Sequence, residues 1–203
     1  MRPIDMRVLE LLTARLCHEL SGPIAAVNNG IELLAEDDAQ FVGDAVALVS
    51  DSARRARNRL QFYRFAYGYG LRGPGMGASP HEIAVGLCAD SRIVCDYPEE
   101  IRVLSLEWQK LACNLVAVGA SLLPRGGCLA LSHPPLTLEV SGDGVALTAE
   151  VGAALTLATP LSELTPRTVQ AYFTGLLAKT LNSSVKSTTR LGTVSLTAVS
   201  NSS

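Results

Sequence analysis

The chain lacks any run of about 18 uninterrupted apolar residues, the length a membrane-crossing helix needs, although its mean hydropathy is slightly positive at +0.26. Residues 1–10 alternate charge with leucine and contain no apolar stretch closed by a small-residue cleavage site, so a secretory leader is not expected. No block of five or more like charges occurs, and the formal net charge is -2. That leaves no electrostatic footprint for nucleic acid or for an anionic membrane. Cysteine is scarce and odd in number, five in all at 17, 88, 95, 113 and 128, with no C-x-x-C pair. This argues against a disulfide framework or a zinc site, and for reduced thiols packed as small hydrophobes in a cytoplasmic protein. Internal repeats and low-complexity tracts are also missing. The partner classes that remain are proteins and small molecules.

What is present divides near residue 72. With 203 residues, 48% of them hydrophobic, the chain suffices for a small module plus a mid-sized domain. Leu9, Leu12, Leu16, Leu20, Pro23, Val27, Ile31 and Leu34 step by three or four, one stripe of a first helix. Glu36, Asp37 and Asp38 break the pattern. A second stripe through Val42, Val46, Val49, Ala53, Ala56, Leu60, Tyr63 and Tyr67 alternates four and three, the seam of a left-handed bundle. Two long helices and a short loop make an antiparallel hairpin. A lone hairpin has too few neighbours to dry both seams, so the patterning predicts a homodimer closing into a four-helix bundle. The Gly- and Pro-dense residues 68–77 read as a linker, giving a hairpin over 1–71 and a second domain over 78–203.

In that second domain Ser79 is a cap and Pro80 a first-turn residue for a helix over 80–89. A short strand is expected at 101–104 and a helix at 106–122. Strands follow at 128–132, 136–140 and 145–149, the last two joined by a turn at 141–144. A helix over 168–181 and a closing strand near 193–199 complete an α/β sandwich. The fold class is therefore α+β.

The sharpest local signal is Cys17, His18, Glu19, Leu20, Ser21, Gly22, Pro23 inside the first helix. His18 lies about 200° from Leu16, off the apolar stripe, and should face solvent. An exposed histidine is ordinary, but a mid-helix proline five residues on costs about 3 kcal/mol, which a purely structural surface has no need to incur. Imidazole suits transient phosphoryl carriage because a pKa of about 6.5 leaves a neutral nucleophilic nitrogen at cytosolic pH. His18 and Glu19 are the candidate catalytic pair, Glu19 being either a holder of one ring N–H or a solvated charge. His81 and His133 have no partner pattern and read as structural. Counting back through the loop sets position 18 level with about position 57, in a stretch carrying Arg54, Arg55, Arg57 and Arg59 on the expected non-seam face. Those arginines either attract a phosphoryl group or an acidic pocket, or form a solvated helix face. Ser21, Gly22, Ala25 and Asn29, on the face of His18, are small or polar and suit a docking surface. With Arg15 on the first helix and Arg54, Arg57 and Asn58 on the second, they are the candidate partner-binding residues.

His18, Glu19 and Pro23 resemble the H-box of sensor histidine kinases. The longer run 17–34, reading Pro-Ile-Ala-Ala-Val-Asn-Asn-Gly-Ile-Glu-Leu-Leu from Pro23, resembles the ChpT group of dimeric histidine phosphotransferases. Blocks at 52–68, at 114–127 ending Pro124, Arg125, Gly126, Gly127, and at 168–173 agree, so the resemblance spans nearly the whole chain. It implies a degenerate histidine-kinase ATPase fold for the second domain. It further implies a relay from the receiver-domain aspartate of a CckA-like hybrid kinase through His18 to CtrA-like and CpdR-like response regulators. The protein would need no cofactor of its own, and magnesium would come from the partner receiver. A bound receiver would touch both helices of the hairpin and part of the second domain. The sequence departs from the kinase pattern in three places. Asn114 stands where the first asparagine of N-x-x-x-N would be, but the second position is Val118; no later G-x-G box exists; and 141–144 reads as a hairpin turn. ATP use is therefore not expected. Gly22 occupies the position where phosphatase-active kinases carry Thr or Asn, so little phosphatase activity is expected. The alternatives are an ATP-dependent kinase with diverged boxes and a non-catalytic dimeric adaptor for receiver domains.

Overall fold

A computed structural model of the chain describes residues 5–35, 42–68, 78–89 and 91–201. Both apolar stripes are helices, α1 (Met6–Ala35) and α2 (Val42–Tyr67), packed as an antiparallel pair. The face of α2 that is turned to α1 carries Ala45, Val49, Ser52, Ala56, Arg59, Tyr63 and Ala66, buried or half-buried in steps of four and three. On α1 the matching line runs Val8, Leu12, Arg15, Glu19, Pro23, Ala26 and Gly30. At Gly30 a Cβ would stand 2.6 Å from Val49 Cγ2, so its hydrogen lets the helices close. The seam within the chain is thus rotated by about one position from the expected stripe. Val49, Ala56 and Tyr63 belong to it, whereas Val42, Val46, Ala53 and Leu60 stay exposed, as do Ile24, Ile31 and Leu34 of α1.

The second part begins at α3 (Pro80–Cys88), entered through a reciprocal cap. The Ser79 Oγ accepts from the Glu82 N–H at 3.3 Å, and the Glu82 carboxylate accepts from the Ser79 N–H at 2.6 Å. Those hydrogen bonds hold the Glu82 carboxyl below its ordinary range. Then come β1 (Ile93–Asp96), α4 (Glu99–Arg102), α5 (Leu106–Ser121), β2 (Gly127–Ser132), β3 (Thr137–Ser141) and α6 (Ala149–Leu155). A 3-10 turn at Leu161–Glu163, α7 (Val169–Thr180), β4 (Ser183–Arg190) and β5 (Thr193–Ser200) complete the order. The sheet runs β1-β2-β3-β5-β4, parallel between β1 and β2 and antiparallel elsewhere. Its inner face, with Leu129, Leu131, Leu138, Val140, Val194 and Leu196, forms the core under α5 and α7. The α+β class is as expected.

Two expected strands are not there. Residues 101–104 end the short helix α4 and the turn after it. Pro98 begins α4, Glu99 and Glu100 occupy its first turn, and the parallel strand lies upstream at β1. Residues 145–148 run without regular structure into α6, where Thr148 accepts from the Val151 N–H at 3.3 Å. No hairpin forms at 141–144 because both edges of β3 are already taken, by β2 and by β5. Cys17 is exposed, against the expectation that all five thiols would be packed; the other four are buried or half-buried. Beyond Gly68, the linker expected at 68–77 lies outside the described residues.

The hairpin is pinned to the α/β unit at its base. Tyr67 Oη donates to Gln170 Oε1 at 2.6 Å, Gln170 Nε2 donates to Asn114 Oδ1 at 2.9 Å, and Asn114 Nδ2 donates to the Lys110 carbonyl at 2.8 Å. Lys110 Nζ in turn reaches the Gly68 carbonyl at 2.7 Å, and the Tyr67 ring stands edge-on to Phe173. Gln170→Leu strands the fully buried Asn114 carbonyl oxygen. It should lower stability by about 1–3 kcal/mol, read as a fall in the urea midpoint at unchanged m; an unmoved midpoint would show that this chain of bonds does not hold the two parts.

Candidate functional site

The fourth turn of α1 presents His18 to solvent. Beside it an open groove of about 310 Å³ runs between the two helices. His18, Glu19, Gly22, Pro23 and Ala26 line it from α1, and Ser52, Arg55 and Arg59 from α2. Pro23 stays inside the helix but has no N–H to give the Glu19 carbonyl. Arg59 Nη1 donates to that carbonyl at 2.7 Å, and the same nitrogen is ion-paired to the Glu19 carboxylate. Arg15 Nη2 stands at the outer limit of an ion pair, 4.0 Å from Glu19 Oε1.

The remaining sequence candidates fall into two groups. Gly22, Ala25 and Asn29 are exposed along α1, and Ser21 is exposed with its hydroxyl donating back to the Cys17 carbonyl at 2.7 Å. Arg15 is turned inward instead, donating to the Pro166 carbonyl at 3.2 Å and lying against Tyr63 and Tyr67. Burial pushes both of those phenols up, so they stay neutral, with Glu19 adding to the shift at Tyr63. On α2, Arg54 pairs with Asp51 at 2.9 Å, Arg57 is exposed, and Asn58 donates to the Gly86 carbonyl at 3.1 Å. None of these three lines the groove. Arg55 and Arg59 do, one turn apart around position 57. Arg59 belongs to the seam rather than to the outer face expected for it. The heptad step from Ser52 through Ala56 to Arg59 is the signal that would have found it.

Among the described residues no cluster of three or more His, Cys, Asp or Glu is placed to hold a metal ion. Asn114 is fully buried and spends both ends of its amide on Gln170 and Lys110. Asp143 is ion-paired with Arg125 at 2.6 Å on the surface. The donor set that a magnesium-nucleotide would need does not fit these residues. His81 lies edge-on to Tyr97, away from the groove.

The family described as histidine phosphotransferase C-terminal domain matches residues 78–190. The chain belongs to the ChpT-type histidine phosphotransferases. It is 30% identical over 197 residues to protein phosphotransferase ChpT of Brucella abortus (strain 2308), covering 87% of this chain and 89% of that protein. A solved structure of a bacterial phosphotransferase superposes with a TM-score of 0.77 at 25% identity, covering 98% of both chains. No helix among the described residues is long and apolar enough to cross a membrane.

In this phosphotransferase, a Cβ placed on Gly22 would meet nothing within 4 Å. Outside its chain neighbours that space is open, but Pro23 follows, and its Cδ crowds the Cβ of a helical residue before it, so Gly22→Ala should not gain the about 0.5–1 kcal/mol of an ordinary helix-interior substitution, and the melting temperature by circular dichroism should stay level or fall. A clearly higher one would show that α1 does not need glycine ahead of Pro23.

Proposed function

We propose that this histidine phosphotransferase is a homodimeric, cytoplasmic phosphorelay carrier that takes its phosphoryl group from a receiver-domain aspartate and spends no ATP. The observation that carries this reading is the exposure of His18 on α1 over an open groove that two arginines, Arg55 and Arg59, line from α2. A ring nitrogen forms the P–N bond as the P–O bond to the donor aspartate breaks, and the donor leaves as a carboxylate. In the second half the phosphohistidine yields the group to an acceptor aspartate by the same path reversed. Little covalent chemistry is asked of the carrier, so catalysis is alignment together with balanced charge. The magnesium that shields the aspartates belongs to the receiver, and this chain brings no cofactor.

The donor we favour is the receiver of a CckA-like hybrid kinase, and the acceptors are CtrA-like and CpdR-like regulators. Arg15 holds the Pro166 carbonyl one turn ahead of His18, so a receiver seated on the imidazole also meets the α/β unit near residues 164–167. Independence from ATP is supported by Asn114, whose amide is committed to the interior. Dimerisation is supported by the unpartnered apolar flank of the hairpin, where Ile24, Ile31, Val42, Val46 and Leu60 are all exposed.

Incubation with a phosphorylated receiver should label the native chain with an acid-labile phosphoryl group, and His18→Ala should abolish the label. Binding without any label would instead support an adaptor, and labelling by ATP alone would support a kinase. Leu60→Glu places a charge in the apolar flank and should give a monomer by light scattering. A dimer that persists would move the interface elsewhere.

A further inference from the structure

A proline inside a helix leaves the carbonyl four residues earlier without its donor, and its ring pushes that carbonyl outward. In α1 the proline is Pro23 and the carbonyl is that of Glu19, the residue after the phosphoryl acceptor. The acceptor is satisfied from the other helix. Arg59 Nη1 donates to the Glu19 carbonyl at 2.7 Å and binds the Glu19 carboxylate at the same time. One guanidinium therefore closes the break in α1 and holds the negative charge that stands nearest to His18 along the chain. The ion pair is partly wet, with the two side chains 37% and 28% exposed, at the edge of the groove a phosphoryl group would enter.

We propose that Arg59 is a positioning residue for the transfer: it keeps the Glu19 carboxylate tied to α2, so that an arriving phosphoryl dianion meets a charge-balanced groove rather than a bare carboxylate. The same contact fixes the turn of α1 that bears the imidazole. This inference rests on the phosphotransfer reading of His18. It assigns to Arg59 an action through Glu19, not a contact with the phosphoryl group itself. Arginine is suited to this because both contacts come from Nη1, whose two N–H bonds are fixed in the guanidinium plane, whereas the ammonium of lysine is a freely turning and more strongly hydrated point charge.

The test labels His18 with two donors, a phosphorylated receiver domain and phosphoramidate, the second of which needs no docking surface. Arg59→Met should slow labelling by both donors by on the order of tenfold, with the loss shrinking as salt screens the freed carboxylate. In a Glu19→Gln background, which carries whatever rate Glu19 itself contributes, Arg59→Met should cost little further rate, because no charge is left to be held. Arg59→Lys should fall between the native chain and Arg59→Met. In thermal melts, Pro23→Ala returns an N–H to the Glu19 carbonyl and should reduce the loss of melting temperature caused by Arg59→Met. That double variant also carries the rate comparison if Arg59→Met alone does not fold. A native labelling rate in Arg59→Met overturns the proposal. So does a loss on Arg59→Met that is as large in the Glu19→Gln background as in the native one, since Arg59 would then act on the phosphoryl group directly. A native chain left unlabelled at His18 by both donors overturns the phosphotransfer reading, and this inference with it.

Discussion

One continuous helix has to carry an outward-facing histidine and, five residues later, a proline. The proline alone costs about 3 kcal/mol in a helix interior, and α1 nevertheless runs unbroken from Met6 to Ala35. Two features of the tertiary structure offset that cost. The guanidinium of Arg59 takes the orphaned carbonyl of Glu19, and Gly30 lets α1 approach α2 closely enough for Val49 to pack against its backbone. The groove beside His18 lies between the two helices with Pro23 and Arg59 in its walls, ahead of the close approach at Gly30. Site and hairpin packing are therefore one problem with one solution.

The α/β unit has a different relation to the site. None of its described residues lines the groove, but it holds both helices from the side. Arg7 and Arg15 of α1 reach the carbonyls of Leu164 and Pro166, while Asn58 and Tyr67 of α2 reach Gly86 and Gln170. Asn114 shows how such a unit is put to this use. In the kinase pattern that the sequence resembles, an asparagine there would face a nucleotide; here Gln170 and Lys110 occupy both ends of its amide, and Tyr67 hands the contact on to the hairpin. A buried amide that is fully satisfied is a fastening, and releasing it would leave unpaired groups in the interior.

Most of the architecture was legible because it follows from period and punctuation. The two long helices appear as uninterrupted steps of three and four, the capping box as Ser79 with Glu82, and the central strands as alternation. The misses share a cause. The four residues of β1 are too few to show a period, β4 is mostly Ser and Thr because it is an edge with little to bury, and the mostly apolar residues 145–149 follow β3, both of whose edges are already paired. In each case the deciding partner is distant in the chain.

The sequence alone determined that a histidine stands outside the seam of a long helix, next to an acid and ahead of a proline, on a hairpin followed by an α/β sandwich. Those are matters of local spacing, which the 3.6-residue period turns directly into direction. Only the tertiary structure decided which arginines share the groove, that Arg15 serves the interior, and that Arg59 closes the proline break. Residues separated by about forty positions meet at an angle set by how two helices roll against each other. A rotation of one residue, as at the α2 stripe, is enough to exchange the side chains that face His18 for those that face water.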